Sequence, residues 1–547
     1  MKHRFTSPVA WTAWILAGSL LCSCGSAAGS TAPSASSAES TASSASAAES
    51  PAVSVPEAAS SDAAESAVSL NTGNVTAAAE TPARIHIGRD RMTRLFMNSG
   101  TGSFDNGHLG FSYSMNDSLY VISSERDLPA LSGALDVVNE ETDSRAKAAA
   151  DAASAESDEF FYYTEVSEVL RADSSVVSVL ESSYGSFDGA YESIFVNLDP
   201  SDGTRLTLPD VVTDTSMLAS YIQIVLEANR PDYPMTEEEI RSLIDYGTLN
   251  FGVGYDGLHV VFPALTDPEQ YVPEAEVTVQ FAWYPEIFAP KYRSLPASFG
   301  MRLRAADLGA EHPTEYTVSA GDGSEHRIYA GYLKSGEEFF GIDEFCISYD
   351  DVSVSMEGDE WAFDVIPYLI RTGDGRLYLY AQFEEEGEHG LVRVYDLNGE
   401  EPMYVGECED WITDRYLEDP SFMELTRRFD LLGTYTGIRG FEVSESGMPE
   451  TYSSWFDTDR EERLLQGKVY FEADVVDGPG GTVISPNETF EPGTQFLIVG
   501  TDGERQVDLQ ASDGRYARVY VDRDGDGNRT VNGAPEEEIF AGILYAS

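Results

Sequence analysis

Between positions 25 and 82 the chain is built almost entirely from Ser, Ala, Glu, Thr, Pro and Val, with no periodic apolar positions. Such a segment offers too little apolar surface to offset the entropy of ordering its backbone, so residues 24–82 are expected to form a disordered tether. At roughly 5–6 Å times the square root of its length, a coil of this kind sets the remainder of the chain on the order of 40 Å from the start of the tether. All folding therefore falls to that remaining stretch of about 465 residues, more than one domain usually contains.

Ahead of the tether, Lys2, His3 and Arg4 precede an apolar run over 9–21 and then small residues. A charged start, a short apolar stretch and a small-residue exit have the form of a secretory signal, expected over 1–23. The run, at about thirteen residues, is shorter than the roughly 20 that a spanning helix needs, and no later stretch is apolar for that long. Leu21-Cys22-Ser23-Cys24 resembles the lipobox of bacterial lipoproteins, which implies lipid attachment at the Cys24 sulfur. Cys22, preceded directly by Leu21, does not fit that pattern. Two acyl chains, at about 0.8 kcal/mol per buried methylene, anchor stably where one is marginal. The expected location is extracytoplasmic, on the outer face of a membrane in the manner of a Gram-positive surface lipoprotein.

The formal charge is −60, from 94 acidic and 34 basic residues. A surface of that sign repels nucleic acid and anionic lipid and attracts cationic partners or bound cations. Membrane contact is then expected through the lipid anchor alone. Two further cysteines, Cys346 and Cys408, could pair across a long loop in an oxidising compartment or stay as separate thiols. Two are too few for a zinc site.

Composition changes near residues 302–313, which suggests domains over 83–300, 301–415 and 416–547. In the first, residues 134–157 read as an Ala- and charge-rich helix followed by strands over 160–170, 176–184 and 191–198. Leu218, Tyr221, Ile222, Val225 and Leu226 fall at helical spacing behind an Asp214 cap, and Thr236 with Glu239 makes a capping box ahead of Ile240, Leu243 and Ile244. Strands over 251–254 and 258–262 flank the tight-turn residues Tyr255-Asp256-Gly257, and 277–283 alternates with the period of a half-buried strand. The expected fold class is α+β, an antiparallel sheet packed with helices, followed by a β-rich region. In that region strands over 376–383 and 391–395 lead to the hairpin turn Asn398-Gly399, and strands over 494–499, 506–509 and 515–521 suggest a small SH3-like barrel or closed sheet at the end.

Within 128–297 lie Leu128-Pro129-Ala130-Leu131-Ser132-Gly133, the strand over 176–184, Asp188-Gly189-Ala190, Val196-Asn197-Leu198-Asp199, Gly203-Thr204-Arg205-Leu206-Thr207-Leu208-Pro209-Asp210, Asp256-Gly257-Leu258 and Val260-Val261-Phe262. Their order and spacing resemble the paired domains of unknown function in the extracellular part of the lysozyme-sensing anti-sigma factor RsiV and ahead of the catalytic domain in the peptidoglycan deacetylase PdaC. Where that family commonly has His after Gly-Ala, this chain has Tyr191, so no role of that imidazole carries over. A transmembrane helix with a cytoplasmic segment and a deacetylase domain with its metal ligands are missing from the sequence. What the PdaC/RsiV-like resemblance implies is a non-catalytic envelope module, with a lysozyme-like protein or peptidoglycan as candidate ligands.

Catalytic signatures are sparse. Gly252, Gly254 and Gly257 satisfy G-x-G-x-x-G, yet a strand follows where a dinucleotide site needs a helix. The seven histidines include no pair at helical ligand spacing, and G-x-S-x-G is absent. Asp522, Asp524, Asp526 and Asn528 alternate ahead of a turn glycine, as hard-cation ligands in a calcium loop do, although Gly533 stands where an EF-hand places its bidentate Glu. Glu536, Glu537 or Glu538 could complete the shell by folding back. The sequence thus predicts a cell-envelope lipoprotein that binds or senses rather than catalyses. A wall-directed hydrolase with carboxylates hidden among the many, or a solute-binding lipoprotein, are the alternatives.

Overall fold

The computed structural model describes residues 82–545, apart from 86, 90–91, 98–109, 112–119, 123–127, 157–160, 186–190, 267–270, 310–313, 321–323, 335–340, 386–389, 414–416 and 459–463. Helix α1 (Pro129–Glu156) buries Leu131, Leu135 and Val138 against Val169, Val177, Val179 and Val196 of the strands Phe161–Ala172, Val177–Gly185 and Tyr191–Leu198. Those strands form one antiparallel sheet with Met92–Met97 and Gly110–Phe111.

Helices α2 (Thr215–Asn229) and α3 (Glu237–Tyr246) begin where the sequence places their caps. Asp214 accepts from Ser216 N at 3.0 Å, and Thr236 and Glu239 form the reciprocal box. Their inner residues Leu218, Ile222, Val225 and Ile240 share a core with Val253, Leu258, Val260, Val277 and Val279 from the three-stranded sheet of Phe251–Val253, Gly257–Phe262 and Ala275–Gln280.

From Phe299 onward nearly every element is a strand. One five-stranded sheet runs in the order Phe299–Arg302, Ala362–Arg371, Leu377–Glu385, Gly390–Asp396, Met403–Cys408. A second is built on Glu325–Lys334, Ile342–Tyr349 and Val352–Asp359, and the two share the core of Ile328, Phe345, Ile347, Val365, Leu369, Leu379 and Phe383. The outer face of the first sheet, with Tyr368, Tyr380, Val392 and Val394, packs on Met423, Leu425 and Phe441 of a 14-stranded sheet that occupies the rest of the chain. That last sheet is secured by its latest segments: Phe540–Ala541 pairs with Leu464–Gly467, and Leu544 O accepts from Thr434 N at 2.8 Å.

Half of the described residues lie in strands and 16% in helices, so the class is mainly β. This corrects the α+β expectation of helices packed on an antiparallel sheet. The helical periodicities in the sequence are real but local, whereas alternating strand patterns recur through the whole length and dominate the architecture. The expected terminal SH3-like barrel is corrected as well. In its place stands a half-barrel sheet in a propeller-like arrangement, with the short Trp411–Ile412 and the long Val483–Phe490 at the two ends of its main run of nine strands.

Candidate functional site

Among the described residues, the densest set of interacting titratable groups around a histidine lies on the three-stranded sheet, on the face opposite α2 and α3. His259 and Thr278 are direct cross-strand partners, and Val261 pairs with Glu276 two residues on, so the side chains of His259, Thr278 and Glu276 share one face. The tight turn at 254–257 brings Asp256 back to the same spot. Asp256 Oδ1 lies 2.8 Å from His259 Nε2, Glu276 Oε1 lies 3.2 Å from Nδ1, and Thr278 Oγ1 is 3.3 Å from Nδ1. A Cβ at Gly254 would come within 2.5 Å of His259 Nε2 and 2.6 Å of Asp256 Oδ1, so only glycine lets the turn close over this pair. Gly252 answers to the same pressure, since a Cβ there would stand 2.5 Å from the Phe195 ring. The G-x-G-x-x-G spacing is therefore a record of close packing around a turn and strand.

Burial alone would depress the His259 imidazolium, but the charge and hydrogen bond of Asp256, joined by Glu276, push its pKa up to about 10. Burial would raise both carboxyls, and His259 instead holds Asp256 and Glu276 below their ordinary values. At neutral pH the ring is thus a cation with both nitrogens facing carboxylates. Although Thr278, His259 and Asp256 line up like a nucleophile, base and orienting acid, a ring already protonated cannot take the threonine proton. What the group does is hold two chain segments together. Adjacent to it, Gln280 Nε2 donates to Glu315 O at 2.5 Å and Thr317 N donates to Gln280 Oε1 at 3.3 Å, so the sheet carrying His259 is stitched to the β-rich half.

A second cluster lies in that half. Asp364 and Glu384 are direct partners across the Ala362–Arg371 and Leu377–Glu385 strands. Burial, then the Asp364 charge, raises Glu384 to about 7 despite the opposing field of Arg302, and burial raises Asp364 as well. Gly390, paired with Glu384 on the next strand, has the Trp411 indole where a Cβ would stand. An open depression on α1 is lined by Val137, Glu140, Glu141, Ser144 and Arg145.

No family model matches this chain. No curated protein matches it either. Among solved structures it is similar to the crystal structure of a member of the DUF3298 family from Bacteroides fragilis, at 14% identity, over 39% of this chain and 98% of that one, with a TM-score of 0.25. So distant a likeness transfers no residue roles.

The residues singled out in the sequence are dispersed. Cys24, the leader and the tether lie outside the described residues, as does Asp188-Gly189-Ala190. Cys346 and Cys408 are free thiols on strands of different sheets: Cys346 Sγ is 3.1 Å from Ser355 Oγ, while Cys408 packs beside the core of Tyr380 and Val392, and burial pushes its pKa up to about 12. No bridge forms between them. The alternating acids sit on the hairpin from Tyr516–Arg523 to Arg529–Val531. Asp524 Oδ1 accepts from Asp526 N and Asn528 N, each at 2.9 Å, and its Oδ2 from Asn528 Nδ2 at 3.1 Å. Asp522 pairs with Arg505 at 3.4 Å, and Glu536 is buried where it accepts from the Tyr545 hydroxyl. Among the described residues no three His, Cys, Asp or Glu side chains are grouped to hold a metal ion.

Sequence reasoning missed the His259 group because it searched for histidine pairs, and here one histidine is held by two acids. The signal was present in part, as Asp256 and His259 stand three apart across a glycine turn.

Proposed function

We propose that this chain is an extracytoplasmic lipoprotein, anchored through Cys24, whose strand-built head binds a cationic protein of the cell envelope, a lysozyme-like protein first among them. The observation that carries this reading is charge. The 94 Asp and Glu outnumber the 34 Lys and Arg by 60, a formal charge of −60. Such a surplus creates an attractive field for a basic protein and speeds its encounter, an effect that weakens as salt rises. The PdaC/RsiV-like sequence motifs supply the choice of lysozyme and peptidoglycan as ligands to try. Immobilised protein should retain lysozyme at low salt and less of it at physiological salt. Retention of neither lysozyme nor purified cell wall at either salt would overturn the proposal.

One observation favours a second reading, a wall-directed hydrolase. Asp364 and Glu384 face each other at cross-strand distance, about 5 Å between Cβ atoms, and a carboxyl titrating near neutrality beside another is the pairing that glycoside hydrolysis uses. Release of soluble fragments from peptidoglycan, abolished in Glu384→Gln, would establish it. No release from the unaltered protein would dismiss it.

A further inference from the structure

Helix α2 turns Leu218, Ala219, Ile222, Val225 and Leu226 into the core, yet it carries a second apolar line beside that face, with Tyr221 packed against the edge of the core. Met217, Tyr221 and Ile224 follow one another at the i, i+4, i+7 spacing of a single helix face. Met217 is 44% and Ile224 51% exposed. Between them Tyr221 is held upright: its ring stacks on Tyr284 with centroids 3.8 Å apart, and its hydroxyl donates to Glu286 Oε1 at 3.0 Å. Isolated exposed apolar residues need no explanation, but a stripe in helical register around a fixed aromatic ring marks a contact surface.

The rim of this stripe is acidic. Asp214 caps the helix at one end, Glu227 and Glu286 flank it, and the neighbouring bases are each paired with an acid of their own. Arg241 is paired with Glu237 and the Ser216 carbonyl, and Arg230 with Asp232 and the Glu274 carbonyl. We propose that this face of α2 docks a cationic amphipathic helix of a protein partner. Over seven residues at about 1.5 Å each, the stripe is about 10 Å long, the footprint of two turns of a facing helix. Met217 supplies an adaptable apolar contact, and the surrounding carboxylates select Lys and Arg on the flanks of the incoming helix. A second copy of the chain would oppose like charges across a self-complementary contact, and an anionic lipid surface would be repelled.

The inference rests on the cationic-partner reading above and names the surface for it. The probe is a fluorescently labelled amphipathic Leu/Lys peptide of about 14 residues, long enough to fold as a helix when bound, titrated with the full chain at physiological salt. The double variant Met217→Ser/Ile224→Ser should bind it at least about tenfold more weakly. Ile484→Ser, which removes a 64% exposed apolar side chain from the strand Val483–Phe490, should leave affinity unchanged. Equal affinity in the double variant and the unaltered chain, or no binding of the peptide by the unaltered chain, overturns the assignment of this surface. If lysozyme is still retained in that case, only the docking face is wrong. If it is not, the cationic-partner reading falls with it. All three substitutions change exposed side chains, and matched thermal melting curves confirm that the variants are folded.

Discussion

Arg171 and Arg518 are both buried arginines paired with a buried aspartate, and they solve the problem in different ways. Arg518 makes a two-pronged contact with Asp508 at 2.8 Å on each oxygen, from the directly opposite position on the neighbouring strand, and its flat group covers the Trp455 ring at 4.3 Å. The pair is local, ten residues apart, and set by strand register. Arg171, with no exposed surface, gives only Nε to Asp173, two residues away. Its remaining nitrogens donate to Gly254 O at 3.3 Å, Tyr292 O at 2.5 Å and Ser294 O at 2.7 Å, on segments 83 to 123 residues distant. One arginine stiffens a sheet, and the other joins three parts of the chain. The same ion pair therefore means different things according to how many backbone carbonyls share the cation.

If that distinction holds, Arg171→Met should be the most damaging change, leaving Asp173 charged in a dry interior and three carbonyls without their donor. A loss of about 3–5 kcal/mol is expected, read from the denaturant midpoint. Asp508→Asn should cost less, about 2–3 kcal/mol, because Arg518 keeps its ring contact and part of its hydrogen bonding. A double-mutant cycle with Arg518→Met should return most of that figure as coupling between the two, whereas the corresponding cycle for Arg171 and Asp173 should leave a large uncoupled remainder.

His259 falls between these cases. His259→Gln should cost about 2 kcal/mol, below the fully buried range since its partner Glu276 is half exposed. The pH dependence separates it from the arginines. A histidine whose folded pKa is raised contributes fully below its ordinary value near 6.5, and that contribution declines until it vanishes near 10. The difference between unaltered chain and variant should therefore shrink steadily over that interval and also fade in acid, at a pH below the ordinary carboxylate range because His259 holds both Asp256 and Glu276 below their usual values. A difference independent of pH from 6 to 10 would show that the ring acts by packing alone. Calcium should have the smallest effect. With Asp524 committed to its own turn, millimolar calcium is expected to move the melting temperature by less than about one degree. A larger saturable shift, lost in Asp526→Asn, would show that the hairpin reforms around the ion.

Legibility in the sequence followed the range of the interactions. The caps at Asp214 and Thr236, the strand alternation after Ala275, and the turn at Asn398, whose N donates to Asp396 Oδ1 at 2.7 Å, all depend on neighbours a few residues away or on turn chemistry. The acceptors of Arg171 and the second carboxylate on His259 are chosen by tertiary packing, which no local pattern announces. The fold class was misread for a related reason. Three helical patterns, two of them with clear caps, weighed heavily in a local reading, while a sheet of fourteen strands announces itself only through pairings such as Phe456 with Thr501. The acidic loop shows the converse: Asp524 and Asn528 have a spacing suited to a cation, and in the structure they bond to each other.

The tie between Leu544 and Thr434 uses a segment made after every strand of the sheet it closes, and this sets an order on the birth of the protein. Synthesis from the N-terminus delivers residue 544 after all of those strands, so this tie is the last of the sheet's bonds that can form. A chain cut just ahead of Leu544 would be made with every strand of this sheet and without the bond that ties its last segment to Thr434.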